Sequence, residues 1–269
     1  MPELPEVETT RRGIEPWIVG REITGWSLRQ PRLRWPVVFP ERLRGERIVR
    51  VLRRAKYLLL ETTSGALIVH LGMSGSLRLM PLDSVAGRHD HVDIQFDHER
   101  VLRLTDPRRF GSIHYCEGDW RTHWLIKDLG VEPLGPEFNG GFLWRVAKGR
   151  RVAVKQLLMD ARVVVGVGNI YANESLFLAG IRPRLAAGRI GLLRCTALAG
   201  AVRDVLERAI LVGGTTLRDF VGGTGAPGHF RPSLNVYGRA DQPCYQCGTQ
   251  LKGIRIGQRA TVYCPKCQR

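Results

Sequence analysis

The chain has 269 residues, enough for a sizeable core spread over two domains, and its 43% hydrophobic content is that of an ordinary globular protein. Lys and Arg outnumber Asp and Glu 41 to 25, a formal charge of +16, so a polyanionic partner leads the functional classes. No apolar run is long enough to span a bilayer and no signal-peptide core opens the chain, so a cytoplasmic protein is expected rather than a membrane or secreted one.

The opening residues Met1-Pro2-Glu3-Leu4-Pro5-Glu6 admit two readings. Pro5 suits the first turn of a helix and Glu6 and Glu8 suit its dipole, which makes the segment a helix start with no chemistry. Pro2 is also small enough for removal of the initiator methionine, which leaves a free secondary amine beside the Glu3 carboxylate, a nucleophile next to an acid/base. Leu4, Val7, Ile14 and Ile18 then recur at roughly helical spacing as far as Pro16-Trp17.

Thereafter the period changes. Strands are predicted at Ile23–Leu28, Ile48–Leu52, Tyr57–Glu61, Ala66–Leu71, Ser76–Leu79, Val92–Phe96, Val101–Leu104 and Ser112–Tyr115, with turns at 63–65 and 97–100. Residues to about 120 therefore read as a β-sandwich or flattened barrel behind one leading helix. The stretch VEPLGPEFNGG over 131–141, rich in proline and glycine, reads as an interdomain linker. Helices are predicted at Val152–Met159, Ile170–Ala179, Leu192–Leu211 and Leu217–Phe220, and 222–228 as a flexible loop. The expected architecture is α+β and multi-domain: a sandwich domain at 1–130, a linker at 131–149, a helical domain at 150–237 and a C-terminal hairpin at 238–269.

That last segment is too short to hold itself together by burial alone. Cys244-x2-Cys247, sixteen residues, then Cys264-x2-Cys267 supplies the staple: four thiolates brought together by a β-hairpin into a closed tetrahedral site, hence one structural zinc ion. Two redox-active pairs are the alternative reading of the same spacing. Lys252, Arg255, Arg259 and Lys266 decorate the hairpin, and Arg259 near its tip is the favoured phosphate contact.

Three further motifs carry candidate chemistry. In Gly166-Val167-Gly168-Asn169-Ile170 the glycines permit close backbone approach and Asn169 is a candidate helix cap or a ligand contact. Thr105-Asp106-Pro107-Arg108-Arg109-Phe110-Gly111 is a turn able to push Phe110 into a base stack while Arg108 reaches base edges, although a basic hairpin tip with a core Phe110 fits the same residues. Met73 lies in a glycine-flanked turn, His70-Leu71-Gly72-Met73-Ser74-Gly75, and Lys56 directly precedes an apolar strand. His89-Asp90-His91, with Asp93 nearby, reads better as hydrogen-bonded histidines than as a metal site.

In unbroken order, MPELPEVE, RRAKYLLLE, HLGMSGSLR, TDPRRFG, VVGVGNIYANESLF, Val212-Gly213-Gly214-Thr215-Thr216-Leu217, VYGR and the terminal cysteine hairpin resemble bacterial formamidopyrimidine-DNA glycosylase. The resemblance implies a β-sandwich, a helical domain with a helix–two-turn–helix element and a zinc finger, with double-stranded DNA in the cleft between the lobes and a monomeric enzyme. It implies that Pro2 attacks C1′ of a damaged nucleotide, Glu3 assists ring opening, and Lys56 and Arg259 serve β- and δ-elimination. It implies DNA contacts for Asn169, His89, Arg108 and Arg150, and void filling by Met73, Arg108 and Phe110 once a nucleotide is turned out. Arg150 stands where a related enzyme often carries Lys, which changes point-charge geometry. The damaged-base loop would fall within Val221–Phe230. An endonuclease VIII-type enzyme for oxidised pyrimidines and a non-catalytic zinc-ribbon protein are the rival readings; Leu4 with the TDPRRF turn disfavours the first, and Pro2-Glu3 the second.

Overall fold

Pro5 lies in the first turn of helix α1 (Leu4–Ile18), which carries Val7, Ile14 and Ile18 along one buried stripe. The computed structural model describes residues 2–213 and 234–269; the predicted helix at 217–220 and the loop at 221–230 lie outside them. The described residues divide into two units, one comprising 2–127 together with Val212 and Gly213, the other 128–211 and 234–269.

In the first unit the eight predicted strands form, most of them a residue or two longer than predicted: β1 (Ile23–Leu28), β2 (Ile48–Arg54), β3 (Tyr57–Thr62), β4 (Gly65–His70), β5 (Ser76–Pro81), β6 (Asp90–Phe96), β7 (Arg100–Thr105) and β8 (Ser112–Glu117). They make two antiparallel sheets, ordered β1-β6-β7-β5 and β2-β3-β4-β8. Leu58, Leu60, Leu67 and Val69 from one sheet and Leu77, Val92, Ile94, Leu102 and Leu104 from the other share a single core with Val7, Ile14 and Ile18 of α1. Each such side chain contributes on the order of 1.5–3 kcal/mol by leaving water. Leu59 and Ile68, on the other face of their strands, are equally buried, which is why β3 and β4 read as apolar runs rather than alternating strands. The salt bridge from Glu8 to Arg53 and the hydrogen bond from Arg11 to the Val51 carbonyl tie α1 to β2. Burial works to raise the Glu8 pKa, but hydrogen bonds from Arg11 and Arg12 overcome it and hold the carboxyl below its ordinary value.

The second unit contains α2 (Gly140–Ala147), α3 (Val154–Leu158), α4 (Asn169–Leu178), α5 (Leu192–Leu211) and a hairpin of β9 (Lys252–Ile256) and β10 (Arg259–Tyr263). Two sequence expectations are corrected here. Residues 131–149 are not a plain linker, because they contain α2, whose first turn is capped by the Asn139 side chain accepting from the Phe142 amide. Gly140 is there for contact rather than flexibility: a Cβ on it would lie 2.5 Å from Cα of Thr196 on α5. The helix expected over 152–159 is shorter, because Ala153 is extended and bridges Ala186.

The hairpin is part of the helical unit and not a separate body. Phe177 of α4 packs with Val236, Leu251, Val262 and the cysteines. The Glu174 carboxylate, 4% exposed, accepts from the backbone N–H groups of Asn235, Val236 and Tyr237 at 2.8–2.9 Å and from the Asn235 side chain at 3.0 Å. Glu174→Ala leaves these donors without their acceptor and is expected to lower the unfolding free energy by roughly 3 kcal/mol in urea denaturation; a loss below about 1 kcal/mol, the net worth of an average hydrogen bond, would show that the clamp contributes little.

Candidate active site and metal centre

Pro2 and Glu3 are buried at the leading end of α1. Glu3 is the N-cap residue, and its backbone N–H donates to Glu6 Oε2 at 2.8 Å, one half of a capping box. The helix-start reading therefore holds for this segment, and Glu6 in the first turn of the helix also fixes Glu3 just before it.

Lys56 occupies the two-residue turn of the β2–β3 hairpin, closed by the Arg54–Tyr57 pair, with Ala55 taking the positive φ of 56° that such a turn demands. Across the β3–β4 ladder Tyr57 opposes His70, their rings 4.9 Å apart. Burial, with Lys56 and Arg34 nearby, pushes the His70 pKa down to about 4. The imidazole is thus neutral at neutral pH, and its Nδ1 accepts from the Gly72 N–H at 3.0 Å. Sequence reasoning passed over His70; its position two residues before the Gly72-Met73 turn was the available signal.

Met73 is half-buried in that turn, and Phe110 is 45% exposed, so the reading of Phe110 as core is excluded. The Arg108 guanidinium lies over the Phe110 ring at 5.1 Å, and Arg109 adopts φ 55°. His89 precedes β6, where His91 Nε2 lies 2.8 Å from the Asp106 carbonyl oxygen and Asp93 pairs with Arg103 and Arg29. Asp90, His91 and Asp93 are accordingly engaged in hydrogen bonds and ion pairs.

In the second unit Asn169 is the first residue of α4 and not its cap; Gly168 takes that place in extended conformation. Asn169 Nδ2 donates to the carbonyl of Ala260 at 3.0 Å, and the same oxygen accepts from Lys155 Nζ at 3.0 Å. Asn169 is thereby fixed beside Arg259, which follows the Gly257–Gln258 tip of the hairpin. Arg150 is exposed and, with Arg151 and Arg189, lines a basic cleft of about 450 Å³ floored by Gly149 and Gly188.

Cys244, Cys247, Cys264 and Cys267 place their sulfurs within 4.8 Å of one another, with Cys247 and Cys264 3.5 Å apart. A tetrahedral zinc with bonds of about 2.3 Å needs sulfur–sulfur edges of about 3.8 Å, so the donor set fits that ion and leaves no open position. The four thiolates hold one structural zinc. Among the described residues no helix is long and apolar enough to cross a membrane.

A β-sandwich behind a leading helix, with a helical unit carrying a four-cysteine hairpin, is the architecture of a class of zinc-finger DNA glycosylases. Family models match in the same order: the formamidopyrimidine-DNA glycosylase N-terminal domain at residues 1–113, its H2TH domain at 129–221, and the zinc finger found in FPG and IleRS at 241–269. Curated formamidopyrimidine-DNA glycosylases of Halorhodospira halophila and Alkalilimnicola ehrlichii are 57% and 56% identical, each covering 100% of both chains. Among solved structures, a variant of the Lactococcus lactis enzyme in complex with DNA containing Fapy-dG matches with a TM-score of 0.91 at 32% identity over 100% of both chains. The FPG protein of Thermus thermophilus matches with 0.88 at 36% identity over 99% of this chain and 98% of that one. The chain belongs to the formamidopyrimidine-DNA glycosylase family.

Two outcomes follow from the site. Metal analysis of the folded protein is expected to find one zinc per chain, and Cys264→Ser or strong chelation to unfold the hairpin, seen as faster amide exchange over 244–267; a metal-free protein with a protected hairpin would contradict the assignment. Because the folded-state His70 pKa lies below its ordinary 6.5, its contribution to stability is complete above that value and is lost as pH falls towards about 4. Urea denaturation of His70→Asn should therefore show a shallower acid slope than wild type, by up to about 1.4 kcal/mol per pH unit; parallel slopes would show that His70 is not the titrating group.

Proposed function

We propose that the protein is a bifunctional DNA glycosylase and abasic-site lyase of base excision repair, acting on 8-oxoguanine and formamidopyrimidine lesions in double-stranded DNA in the bacterial cytoplasm. The observation that carries the reading is the Pro2-Glu3 pair, held rigidly at the head of α1 by the Glu6 contact, in a chain that belongs to this family throughout its length. Relatives solved with DNA containing Fapy-dG, an abasic site or carbocyclic 8-oxo-G support the substrate class.

Once Met1 is removed, the Pro2 nitrogen is a secondary amine. Its lone pair attacks C1′ and the damaged base departs with the electrons of the glycosidic bond. The attacking nitrogen gives its proton to the departing base and so regains its lone pair, which opens the sugar ring as Glu3 protonates the ring oxygen; the product is an iminium whose positive charge is fixed without a proton. That charge accepts electrons when a C2′ proton leaves, so the 3′ phosphate is expelled first and the 5′ phosphate in a second elimination. Lys56 acts as proton donor in the first elimination and Arg259 assists the second. Asn169, His89 and Arg150 hold phosphate, while Met73 and Phe110 replace lost stacking and Arg108 faces the orphaned base.

Borohydride reduction during reaction with 8-oxoguanine DNA is expected to trap a covalent protein–DNA adduct, with intact mass confirming loss of Met1. An acetylated or Met1-retaining sample should trap none. Adduct formation by protein whose terminus is blocked would transfer the nucleophile to another residue.

A further inference from the structure

Asp106 has no solvent exposure, and the proposed reaction gives it no part. Its two carboxylate oxygens nevertheless collect donors from both loops that carry the proposed void-filling residues. Oδ1 accepts from the Ser74 hydroxyl at 3.1 Å and from the Arg108 N–H at 3.3 Å, and Oδ2 accepts from the Gly111 N–H at 2.7 Å. Its backbone extends the same junction: the Asp106 N–H donates to the His89 carbonyl at 2.9 Å, and its carbonyl accepts from the Arg109 N–H at 3.2 Å and meets His91 Nε2 at 2.8 Å.

The two loops also touch without side chains between them. A Cβ on Gly72 would lie 2.4 Å from the Gly111 nitrogen and 2.5 Å from the Phe110 carbonyl carbon, and a Cβ on Gly111 would lie 2.9 Å from the His70 carbonyl oxygen. Gly72 has φ 64°, so the Met73 turn cannot relax by accepting another residue type there. Neutral His70 fixes the near side of that turn through the Gly72 N–H, and Ser74 fixes its far side through Asp106.

We infer that Asp106 is a positioning residue: one buried carboxylate sets the spacing between the Met73 turn and the Arg108–Phe110 turn, so that stacking replacement and recognition of the orphaned base occur as one event. A buried carboxylate holds its geometry strongly because each donor it loses leaves it less compensated for desolvation. The inference rests on the proposed roles of Met73, Arg108 and Phe110.

The test compares Asp106→Asn, Ser74→Ala and Arg108→Ala for single-turnover excision of 8-oxoguanine opposite each of the four bases, with 2-aminopurine beside the lesion reporting insertion. Asp106→Asn puts an amide donor against N–H or O–H donors, and Ser74→Ala cuts only the link between the loops. Both are expected to flatten the opposite-base ratios and slow insertion, with a loss of about tenfold in the single-turnover rate constant for the preferred pair, equivalent to about 1.4 kcal/mol. General destabilisation lowers all four rates together and leaves their ratios unchanged. Should Asp106→Asn fail to fold, Ser74→Ala decides by itself. Wild-type ratios and insertion rates in the folded variants, with Arg108→Ala altered, overturn the inference alone. Unchanged ratios in Arg108→Ala overturn the reading of the loop and the inference with it.

Discussion

A carboxylate taken out of water must be surrounded by donors, and this constraint fixes three segments among the described residues. Glu6, fully buried, takes the Glu3 N–H and so fixes the terminus. Asp106 takes two backbone N–H groups and a hydroxyl and so joins two turns. Glu174 takes three consecutive backbone N–H groups and fixes the approach to the cysteine hairpin. Desolvating an ion costs several kcal/mol, and hydrogen bonds to a charged acceptor are the stronger kind, so each arrangement is specific as well as stable. Irregular backbone, which has no ladder to define it, acquires a definite shape in this way.

A second kind of shared acceptor operates at the zinc hairpin. The metal closes the hairpin on itself, but the Ala260 carbonyl, taking donors from Lys155 and Asn169, ties its tip to the helices. Val262 N–H donates to Asn173 Oδ1 at 3.0 Å, and Gln268 Nε2 to the Ile181 carbonyl at 2.8 Å, which extends the seam along β10 to the C-terminus. Zinc therefore supplies internal order, and α3 and α4 supply register. Arg259 is placed by both, since it follows a two-residue turn whose strands the metal holds and precedes the residue that the helices grip.

How much was legible in the sequence follows from the range of the interactions involved. All eight sandwich strands and α5 were readable because side-chain alternation and helical spacing are local. The cysteine site was readable because two short spacings nearly determine a tetrahedral centre. Helix α2 was hidden because Gly140 and the prolines before it carry loop statistics, and only the distance to Thr196 shows that the glycine serves helix packing. Asn169 was misplaced by one position because glycine, a weaker N-cap than asparagine, costs only about a few tenths of a kcal/mol in that place. Asp106 and Glu174 gave no signal of burial, since polar residues on the chain look exposed until distant segments bring them their partners.

The excess of positive charge is compatible with a stable fold because the cations divide into two populations. Arg103 is 3% exposed and paired with Asp93, which also takes Arg29; burial works to raise the Asp93 pKa, and these hydrogen bonds reverse it. Arg53 is paired with Glu8 in the same manner. These arginines are structural, their charge spent inside the protein. Arg108, Arg150, Arg151 and Arg189 lie at the surface, where water screens their mutual repulsion and a phosphate backbone can displace that water. Between the two populations stands His70, kept neutral by burial and by its cationic neighbours. A protonated imidazole there would lose the Gly72 hydrogen bond, so the Met73 turn depends on the burial that, with Lys56 and Arg34 nearby, keeps His70 neutral.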